Sequence, residues 1–392
     1  MSAPAVRATS IDAYRGFVMA LMLAEALQLP RVAKQFPESR FWQTVLFHTT
    51  HVEWVGCSLH DLIQPSFSFL VGAALAFSVA RRQAAGVALA RAARHAGWRA
   101  FALVALGIVL RSVGRPQTNF TFEDTLTQIG LGYFPLFLLA WKWHTRPSRL
   151  ALAVLALLVG YWAAFALFPT DHPNAPREPA EWPHHLSGFE SHWEKNDNLA
   201  WAFDTWFLNL FPRQSPFVKN GGGYATLSFL PTLATMLLGL LAGGWLRGGL
   251  APWRKAGLFA AAGAVLLAAG WTLDALGGCP MAKRIWTPSW VLFSGGWCFA
   301  LLAFFHATTD AIGFRGWSYP LRVIGANSIL IYCVAEVPVG AFLVGTFKTH
   351  FGPNVFQVFG AQAEPVLAGA TVLAVYWLVL WWLYAKKVFV RI

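Results

Sequence analysis

Three histidines and two acidic residues lie close together in the sequence, and their side chains can transfer protons. They are His48, His51, Glu53, His60 and Asp61. An imidazole has an ordinary pKa of about 6.5, so it takes up and releases protons near neutrality. His51 is therefore the best candidate for a catalytic group. Asp61 could orient its ring or take part in proton transfer if the loop between them folds back.

The same histidines have less specific interpretations. Three histidines in one loop are also typical of residues at the membrane interface or of weak metal ligands. The spacing of His48 and His51 would suit a metal site on a helix. No set of Cys, His and acidic residues completes such a site, and the four cysteines lack metal-binding spacing. We therefore expect no metal.

The element that must position Asp61 is an apolar run, Leu62–Ala80, which directly follows it. With its flanking residues, this run is long enough to cross a bilayer. Titratable groups at such a boundary cost free energy and need a reason to be there. The whole chain is 56% hydrophobic and 12% charged, against about 25% charged residues in soluble domains. The sequence predicts an all-α polytopic membrane protein.

The apolar blocks predict about ten transmembrane helices, in one integral-membrane domain over residues 1–392. The predicted spans are 13–30, 61–80, 98–113, 126–141, 150–168, 225–246, 256–276, 288–307, 323–347 and 365–385.

The 30 Lys and Arg residues indicate how these helices are oriented. Most fall into alternate connecting segments, and positive charge favours the cytoplasmic side. We therefore expect both termini to be cytoplasmic, with His51 on the outer side. The longest connection, about 169–224, becomes an extracytoplasmic loop that could act as a lid or a binding surface. No basic stripe is interleaved with exposed aromatics, so nucleic acid is not an expected partner.

Five further polar or aromatic residues are candidates for substrate binding: Glu25, Lys283, Trp286, Asn327 and Glu336. Glu25 and Glu336 fall inside predicted spans, where a carboxylate must be paired, protonated or facing a cavity. The side chain of Asn327 would by default hydrogen-bond to a neighbouring helix. Lys283 and Trp286 precede a span, where they contact a polar substrate or anchor the helix.

Three arginines on the predicted cytoplasmic side are candidates for binding a phosphorylated cofactor: Arg15, Arg99 and Arg322. Guanidinium groups bind phosphates through paired hydrogen bonds. Topology alone also explains arginines at these positions, and Arg15 could instead pair with Asp12.

Several stretches together resemble the heparan-α-glucosaminide N-acetyltransferase family and its bacterial relatives. They are SIDAYRG, HVEWVGCSLHDLIQPSFSFLVG, GWRAFALVALGI, GGGYATLSFLPTLATMLLGLLAG, KRIWTPSWVL, ANSILIY and YAKKVFVRI. They occur in the family's order and span most of the chain.

The resemblance implies acetyl transfer across a membrane, in a bacterial inner membrane. Cytoplasmic acetyl-CoA would be the donor, and a glycan or amino sugar on the far side the acceptor. The family's active-site histidine matches His51, and the acid of its following segment matches Asp61. Both an acetyl-histidine intermediate and direct transfer are compatible with these residues, so His51 is either a nucleophile or a general base.

The chain departs from the family pattern at Ala26, at Lys219–Gly222 and at Ala335. The acceptor group, amine or hydroxyl, therefore stays open, as does the assembly, for which a homodimer is one option. The alternative function is a proton-coupled transporter of a polar solute, with Glu25, Asp61 and Glu336 relaying protons. A non-catalytic membrane scaffold is a third.

Overall fold

A computed structural model of the chain describes residues 9–390, which form an all-α structure. The helices, numbered in chain order, are α1 Thr9–Leu23, α2 Leu29–Ala33, α3 Arg40–Thr49, α4 Ile63–Ala84, α5 Leu89–Ser112, α6 Thr125–Trp143, α7 Pro147–Ala166, α8 Leu199–Phe207, α9 Phe229–Arg247, α10 Pro252–Ala275, α11 Pro288–His306, α12 Tyr319–Ala326, α13 Ser328–Glu336, α14 Val339–Phe351 and α15 Glu364–Ala385. Within this range there is no strand, and Val55 and Ala282 form an isolated β-bridge.

Seven helices in the described range are long and apolar enough to cross a membrane. They are His60–Ala84, Leu89–Ser112, Pro147–Ala166, Thr226–Arg247, Pro252–Ala275, Pro288–Ala311 and Ala361–Ala385. The all-α class is confirmed, and these helices are consistent with a polytopic membrane protein. The count of ten is not confirmed. The predicted cytoplasmic placement of the ends stays a prediction, and residues 1–8 and 391–392 lie outside the described range.

The first predicted span, 13–30, is interrupted. Helix α1 ends at Leu23, and a 3₁₀ turn follows at Ala24–Leu27. Gln28 then adopts a φ of 49°, a left-handed conformation that side chains other than glycine rarely take. Helix α2 starts next with a proline in its first turn, a position that proline favours because it has no N–H to donate. Glu25 therefore lies in a turn and not within a continuous span.

The ninth predicted span, 323–347, is also divided, into α12, α13 and α14. The axes of α13 and α14 meet at an angle of 69°. Pro338 follows Glu336 and Val337, and Val337 is extended. A proline disfavours helical backbone in the residue before it and cannot donate to the preceding turn. Glu336 is consequently the last residue of α13 rather than a mid-span carboxylate.

The described residues divide into two compact units. The first comprises residues 9–52, 58–63 and 305–390, and the second comprises 53–57 and 64–304. In the first unit α1 packs directly against α12. A Cβ added at Gly16 would overlap the carbonyl oxygen of Leu321, and one at Gly325 would lie 2.6 Å from the carbonyl oxygen of Asp12. The SIDAYRG stretch therefore needs glycine because two helix backbones touch there.

This close approach gives a testable prediction. Replacing Gly16 by alanine should lower the apparent Tm of the detergent-purified protein by several degrees, since a backbone carbonyl cannot move aside cheaply. Gly160→Ala is the matched control, because a Cβ at that helical position would meet nothing within 4 Å. The control should be neutral or slightly stabilising, as alanine favours helix over glycine. Equal Tm values for the two variants would contradict this account of Gly16.

The second unit has a core rich in aromatic residues that holds several connecting segments together. Its fully buried members include Trp54, Phe165 and Trp193. The indole N–H of Trp54 donates to the carbonyl oxygen of Trp193 at 3.2 Å. Buried tryptophans contribute both large apolar area and a satisfied polar group. The connection after α7, which the sequence predicts as a long extracytoplasmic loop, is therefore packed onto its own unit. Its side of the membrane stays a prediction.

Candidate active site

His51 is presented just beyond the C-terminal end of α3. The helix begins after Ser39, whose hydroxyl accepts the backbone N–H of Trp42 at 3.5 Å. It ends at Thr49 because Thr50 is extended, and the Thr50 hydroxyl donates to the carbonyl oxygen of Leu46 at 2.7 Å. The side chain of His51 keeps 37% of its area exposed. It is thus held by a defined helix end and remains accessible.

Asp61 is brought against His51 by the turn between them. Its Oδ1 lies 2.7 Å from Nδ1 of His51. Its Oδ2 accepts the backbone N–H groups of Val52 at 3.3 Å and Ser58 at 3.0 Å, and the Ser58 hydroxyl at 2.9 Å. The carboxylate is fully buried. Such hydrogen bonds favour the ionised form of a carboxyl group and fix its position.

This pair has the geometry of a histidine oriented by a carboxylate. A carboxylate bonded to Nδ1 places the proton on that nitrogen, and it stabilises the imidazolium that forms when the ring gains a proton. Chemistry at this ring would then proceed through Nε2. The arrangement can support nucleophilic attack or general base catalysis at that atom.

A cavity of about 440 Å³ lies beside His51 within the first unit. It is lined by Leu21, Ala24, Glu25, Gln28, Leu29, Pro30, Arg31, His48, Thr49, Thr50, His51, Leu59 and His60. Its volume falls in the range of small-molecule sites, about 300–1,000 Å³. The lining combines apolar side chains with a few polar groups that point towards the same space, which is typical of ligand-binding sites.

Glu25 is the predicted substrate-binding residue that the structure brings together with His51. Its Oε1 lies 3.1 Å from Nε2 of His60. The ring centroids of His60 and His51 are 4.4 Å apart. The interruption of the first span thus turns Glu25 towards the cavity, as one end of a row of titratable groups.

Asn327 and Glu336 take other positions in the first unit. Asn327 is fully buried, donates to the carbonyl oxygen of Val388 at 3.0 Å and accepts the N–H of Val390 at 2.8 Å. These bonds tie the C-terminal segment to the start of α13. Glu336 lies at the bend between α13 and α14. Neither side chain lines the cavity beside His51.

Lys283 and Trp286 belong to the second unit, where both are buried. The indole N–H of Trp286 donates to the hydroxyl of Thr235 at 3.1 Å. The backbone of Trp286 has a φ of 53°, which is strained for a bulky residue and persists only where the surroundings enforce it. These contacts give Trp286 a structural role within its unit.

The three arginines predicted to bind a cofactor do not line the cavity beside His51. Arg15 pairs with Asp12 at 3.6 Å. In the second unit, the guanidinium of Arg99 lies over the ring of Tyr133 at 4.9 Å and donates to its hydroxyl at 3.3 Å. Arg322 donates to the carbonyl oxygen of Arg315 at 3.3 Å.

A second histidine–carboxylate pair in the first unit shows why accessibility matters. Nδ1 of His306 lies 3.2 Å from Oδ2 of Asp310, which also accepts the N–H of Ser10 at 3.3 Å. His306 is only 5% exposed, and it closes the end of α11. The pair resembles the His51 pair in chemistry, but its ring is not presented to a substrate.

Gln28 and Arg31 also line the cavity, although neither is among the candidates predicted from the sequence. Nη1 of Arg31 donates to Oε1 of Gln28 at 2.6 Å. No signal in the sequence marks them, because they reach the site only through the helix break that precedes them. Among residues 9–390, no group of three or more His, Cys, Asp or Glu side chains is arranged to hold a metal ion.

Comparison with known proteins gives a distant relationship. No family model matches the chain. Human heparan-α-glucosaminide N-acetyltransferase is 22% identical to it over an alignment of 436 residues. The alignment covers the whole of this chain, which spans 61% of the relative's length. The chain is therefore distantly related to an acetyltransferase.

Proposed function

We propose that this protein is a transmembrane acyltransferase that moves an acetyl group from cytoplasmic acetyl-CoA to an extracytoplasmic sugar. The distant relationship to an acetyltransferase supports the reaction class. The observation that carries the proposal is the His51–Asp61 pair, whose 2.7 Å hydrogen bond lies at the edge of a 440 Å³ cavity. Residues 1–392 would act together as this one enzyme, in a bacterial inner membrane with both termini cytoplasmic.

His51 and Asp61 would be the catalytic residues, by either of two routes. In the first, Nε2 of His51 attacks the thioester carbonyl and CoA leaves as the thiolate. The acceptor then attacks the acetyl-imidazolium, the bond from Nε2 to the acetyl group breaks, and the acceptor's proton passes to the released imidazole or to water. In the second, Nε2 removes the proton from the acceptor amine or hydroxyl while that group attacks the thioester directly, and CoA leaves as the thiolate. Asp61 supports both routes, because the ring carries positive charge in each.

The acceptor would bind in the cavity beside His51. Glu25 and Arg31 place one acidic and one basic side chain on its wall, a combination that suits a polar, hydroxyl-rich molecule. The amino or hydroxyl group to be acetylated would lie near Nε2. Trp286 hydrogen-bonds to Thr235 within the second unit, and Asn327 hydrogen-bonds to the C-terminal segment. Lys283 and Glu336 remain predicted substrate-binding residues.

The donor would be bound from the opposite side of the membrane. The phosphates of CoA are too highly charged to cross hydrocarbon, whereas an acetyl group needs only a short protein-lined path. Arg15, Arg99 and Arg322 remain the candidates for holding those phosphates. Their present partners are a carboxylate, a phenol and a carbonyl oxygen, each of which a phosphate could replace.

The test is transfer across a sealed membrane. The purified protein is reconstituted into liposomes, labelled acetyl-CoA is supplied on one side, and amino sugars or neutral sugars are supplied on the other. We expect labelled acetyl groups to appear on the acceptor without CoA crossing. Absence of transfer from either side, with every acceptor, in liposomes shown to contain folded protein, would remove the proposal.

One observation favours a transporter as the second candidate. The bend of 69° between α13 and α14 has Glu336 beside it, and discontinuous helices carrying a carboxylate are typical of secondary transporters. The same liposomes distinguish the two. Uptake of a polar solute driven by a proton gradient, without acyl-CoA, would favour transport.

A further inference from the structure

A second, smaller cavity lies entirely within the second unit. Its volume is about 210 Å³, and it is enclosed by the segment before α6, by α8 and by the connection that follows α8. Its lining residues are Asn119, Thr121, Glu123, Asp204, Leu208, Arg213, Phe217, Lys219, Asn220, Gly221 and Tyr224. None of these residues belongs to the seven helices that could cross a membrane. The lining of the cavity therefore lies outside the candidate membrane spans.

Asp204 contributes a carboxylate that the protein itself only half satisfies. The side chain is 3% exposed. Oδ2 accepts the backbone N–H of Thr226 at 2.9 Å, and the Thr226 side chain also lowers the pKa of this carboxyl group, but Oδ1 accepts no hydrogen bond from any described residue. A buried polar atom left in this state costs free energy, and native structures keep few of them without a reason. A hydrogen-bond donor from a ligand would remove that cost.

Glu123 adds a second carboxylate to the same cavity wall. Burial raises the pKa of Asp204 to about 7, and the nearby charge of Glu123 adds to the rise. The pKa of Glu123 is also raised, chiefly by desolvation and also by the neighbouring charge of Asp124, whereas Arg111 opposes the rise. The other ionisable groups that face Asp204 are Arg213, which opposes the rise, and Tyr161 of α7. Two neighbouring carboxyl groups that resist ionisation together would gain most from a bound cation.

The cations at the edge of this cavity are engaged with other partners. Nζ of Lys219 lies 3.4 Å from Oε1 of Glu178. Nη1 of Arg213 donates to the carbonyl oxygen of Phe120 at 2.9 Å, and its guanidinium lies over the ring of Phe217 at 5.5 Å. Lys219 and Arg213 therefore already have partners, and Arg111 is a further cation that acts on Glu123.

We propose that this cavity is a binding site for a small primary-ammonium compound, held between Asp204 and Glu123. The ammonium group would donate to Oδ1 of Asp204 and to the carboxylate of Glu123. The rings of Phe217 and Tyr224 would pack against its carbon skeleton. This site is separate from the acyl-transfer proposal and depends only on the second unit.

Size and charge select this class of ligand over others. The cavity is smaller than the lower limit of drug-sized sites, about 300 Å³, and equals the liquid volume of about seven waters. Calcium or magnesium would require about six or more oxygen ligands, whereas this wall offers two carboxylates and also carries Arg213 and Lys219. An ammonium group has a single charge and three donors, which match one unsatisfied carboxylate oxygen and its neighbour.

The test compares 2-amino-1,3-propanediol with glycerol, which differ only by an amine in place of a hydroxyl. Both are titrated into the detergent-purified full-length protein by calorimetry at pH 8 and pH 6. We expect the amine to bind at pH 8 and glycerol not to bind. Binding of the amine should weaken about tenfold or more at pH 6, because a proton then competes for Asp204. Equal binding of the two compounds would overturn the proposal.

Two variants locate the site. Asp204→Asn removes the negative charge but keeps an oxygen that can accept the N–H of Thr226. Glu123→Gln likewise removes the negative charge of Glu123 with little change in shape. Each should weaken amine binding about tenfold or more, whereas His51→Ala should leave it unchanged. Unchanged affinity in both folded carboxamide variants would refute the site, as would calcium binding there without amine binding.

A measurement on the unsubstituted protein covers the case in which Asp204→Asn does not fold. The amine at saturating concentration should protect Asp204 and Glu123 from modification by a water-soluble carbodiimide, read out by mass spectrometry. Glu190, which lies outside the cavity lining, should be modified to the same extent with and without the amine. Equal modification of all three carboxyl groups would contradict the proposal.

Discussion

Replacing His51 by alanine is expected to reduce acetyl transfer at least about 10³-fold, to the background of the liposome assay. The reason is geometric, because this ring joins the buried carboxylate of Asp61 to the cavity. Without it, neither an acyl acceptor nor a general base remains at that position, and these roles contribute about 10²–10⁴-fold or more to enzymatic rates. The measurement is the initial rate of labelled acetyl transfer in liposomes that contain equal amounts of folded protein.

The matched control for this variant is His185→Ala. The side chain of His185 is 35% exposed and also pairs with a carboxylate, Oε1 of Glu194, at 2.9 Å. It lies in the second unit, so its loss should leave the rate unchanged. Because His51→Ala leaves the Asp61 charge buried without its partner, His51→Gln serves as a second variant that can still donate to Asp61. Normal rates in either folded His51 variant would remove His51 from the mechanism.

Replacing Asp61 by asparagine should lower the transfer rate about 10²- to 10⁴-fold while the protein stays folded. Asp61 accepts hydrogen bonds from the backbone N–H groups of Val52 and Ser58 and from the Ser58 hydroxyl. The carboxamide oxygen of asparagine can still accept some of these hydrogen bonds. The variant loses the charge that stabilises an imidazolium and that fixes the ring's tautomer, and such a change has a large effect on rate with little change in geometry. Substrate affinity should change much less than turnover.

Asp310→Asn is the control for Asp61. Asp310 is also bonded to a histidine ring and to a backbone N–H, but its partner His306 is buried away from substrate. This variant tests whether disturbing any histidine–carboxylate pair in the first unit suffices to abolish transfer. We expect at least about half of the normal rate. An equal loss of rate in the two variants would mean that the Asp61 effect is structural.

The sequence predicts a helix well when the helix is continuous, or when a residue at the break, such as a proline, marks the interruption. The blocks at 225–246 and 365–385 match the observed spans Thr226–Arg247 and Ala361–Ala385 closely, because a long apolar run in a bilayer has no alternative to helix. The 13–30 block does not, because the left-handed turn at Gln28 depends on the packing of α2 and α15 around it. Pro338 did carry a local signal for the second break.

The candidate site shows the same division. His51 and Asp61 stand out in the sequence because proton-transferring side chains beside an apolar run are unusual. Only the folded structure shows that these two side chains are hydrogen-bonded and that Asp61 is fully buried. It also shows that Glu25 lines the same cavity as His51. No sequence signal marks Arg31 as a site residue, because only the turn before it places its side chain at the cavity wall.

By itself the sequence determined that this chain is α-helical and apolar, and it predicted a proton-transferring site near residue 51, because composition and periodicity act through each residue's immediate surroundings. Tertiary structure decided which of those reactive side chains meet. It paired His51 with Asp61, buried the ring of His306 beside Asp310, and left one oxygen of Asp204 without a donor. The His51–Asp61 hydrogen bond depends on how the turn between these residues folds back, and the surroundings of Asp204 depend on how the connecting segments pack, whereas His306 and Asp310 are only four residues apart.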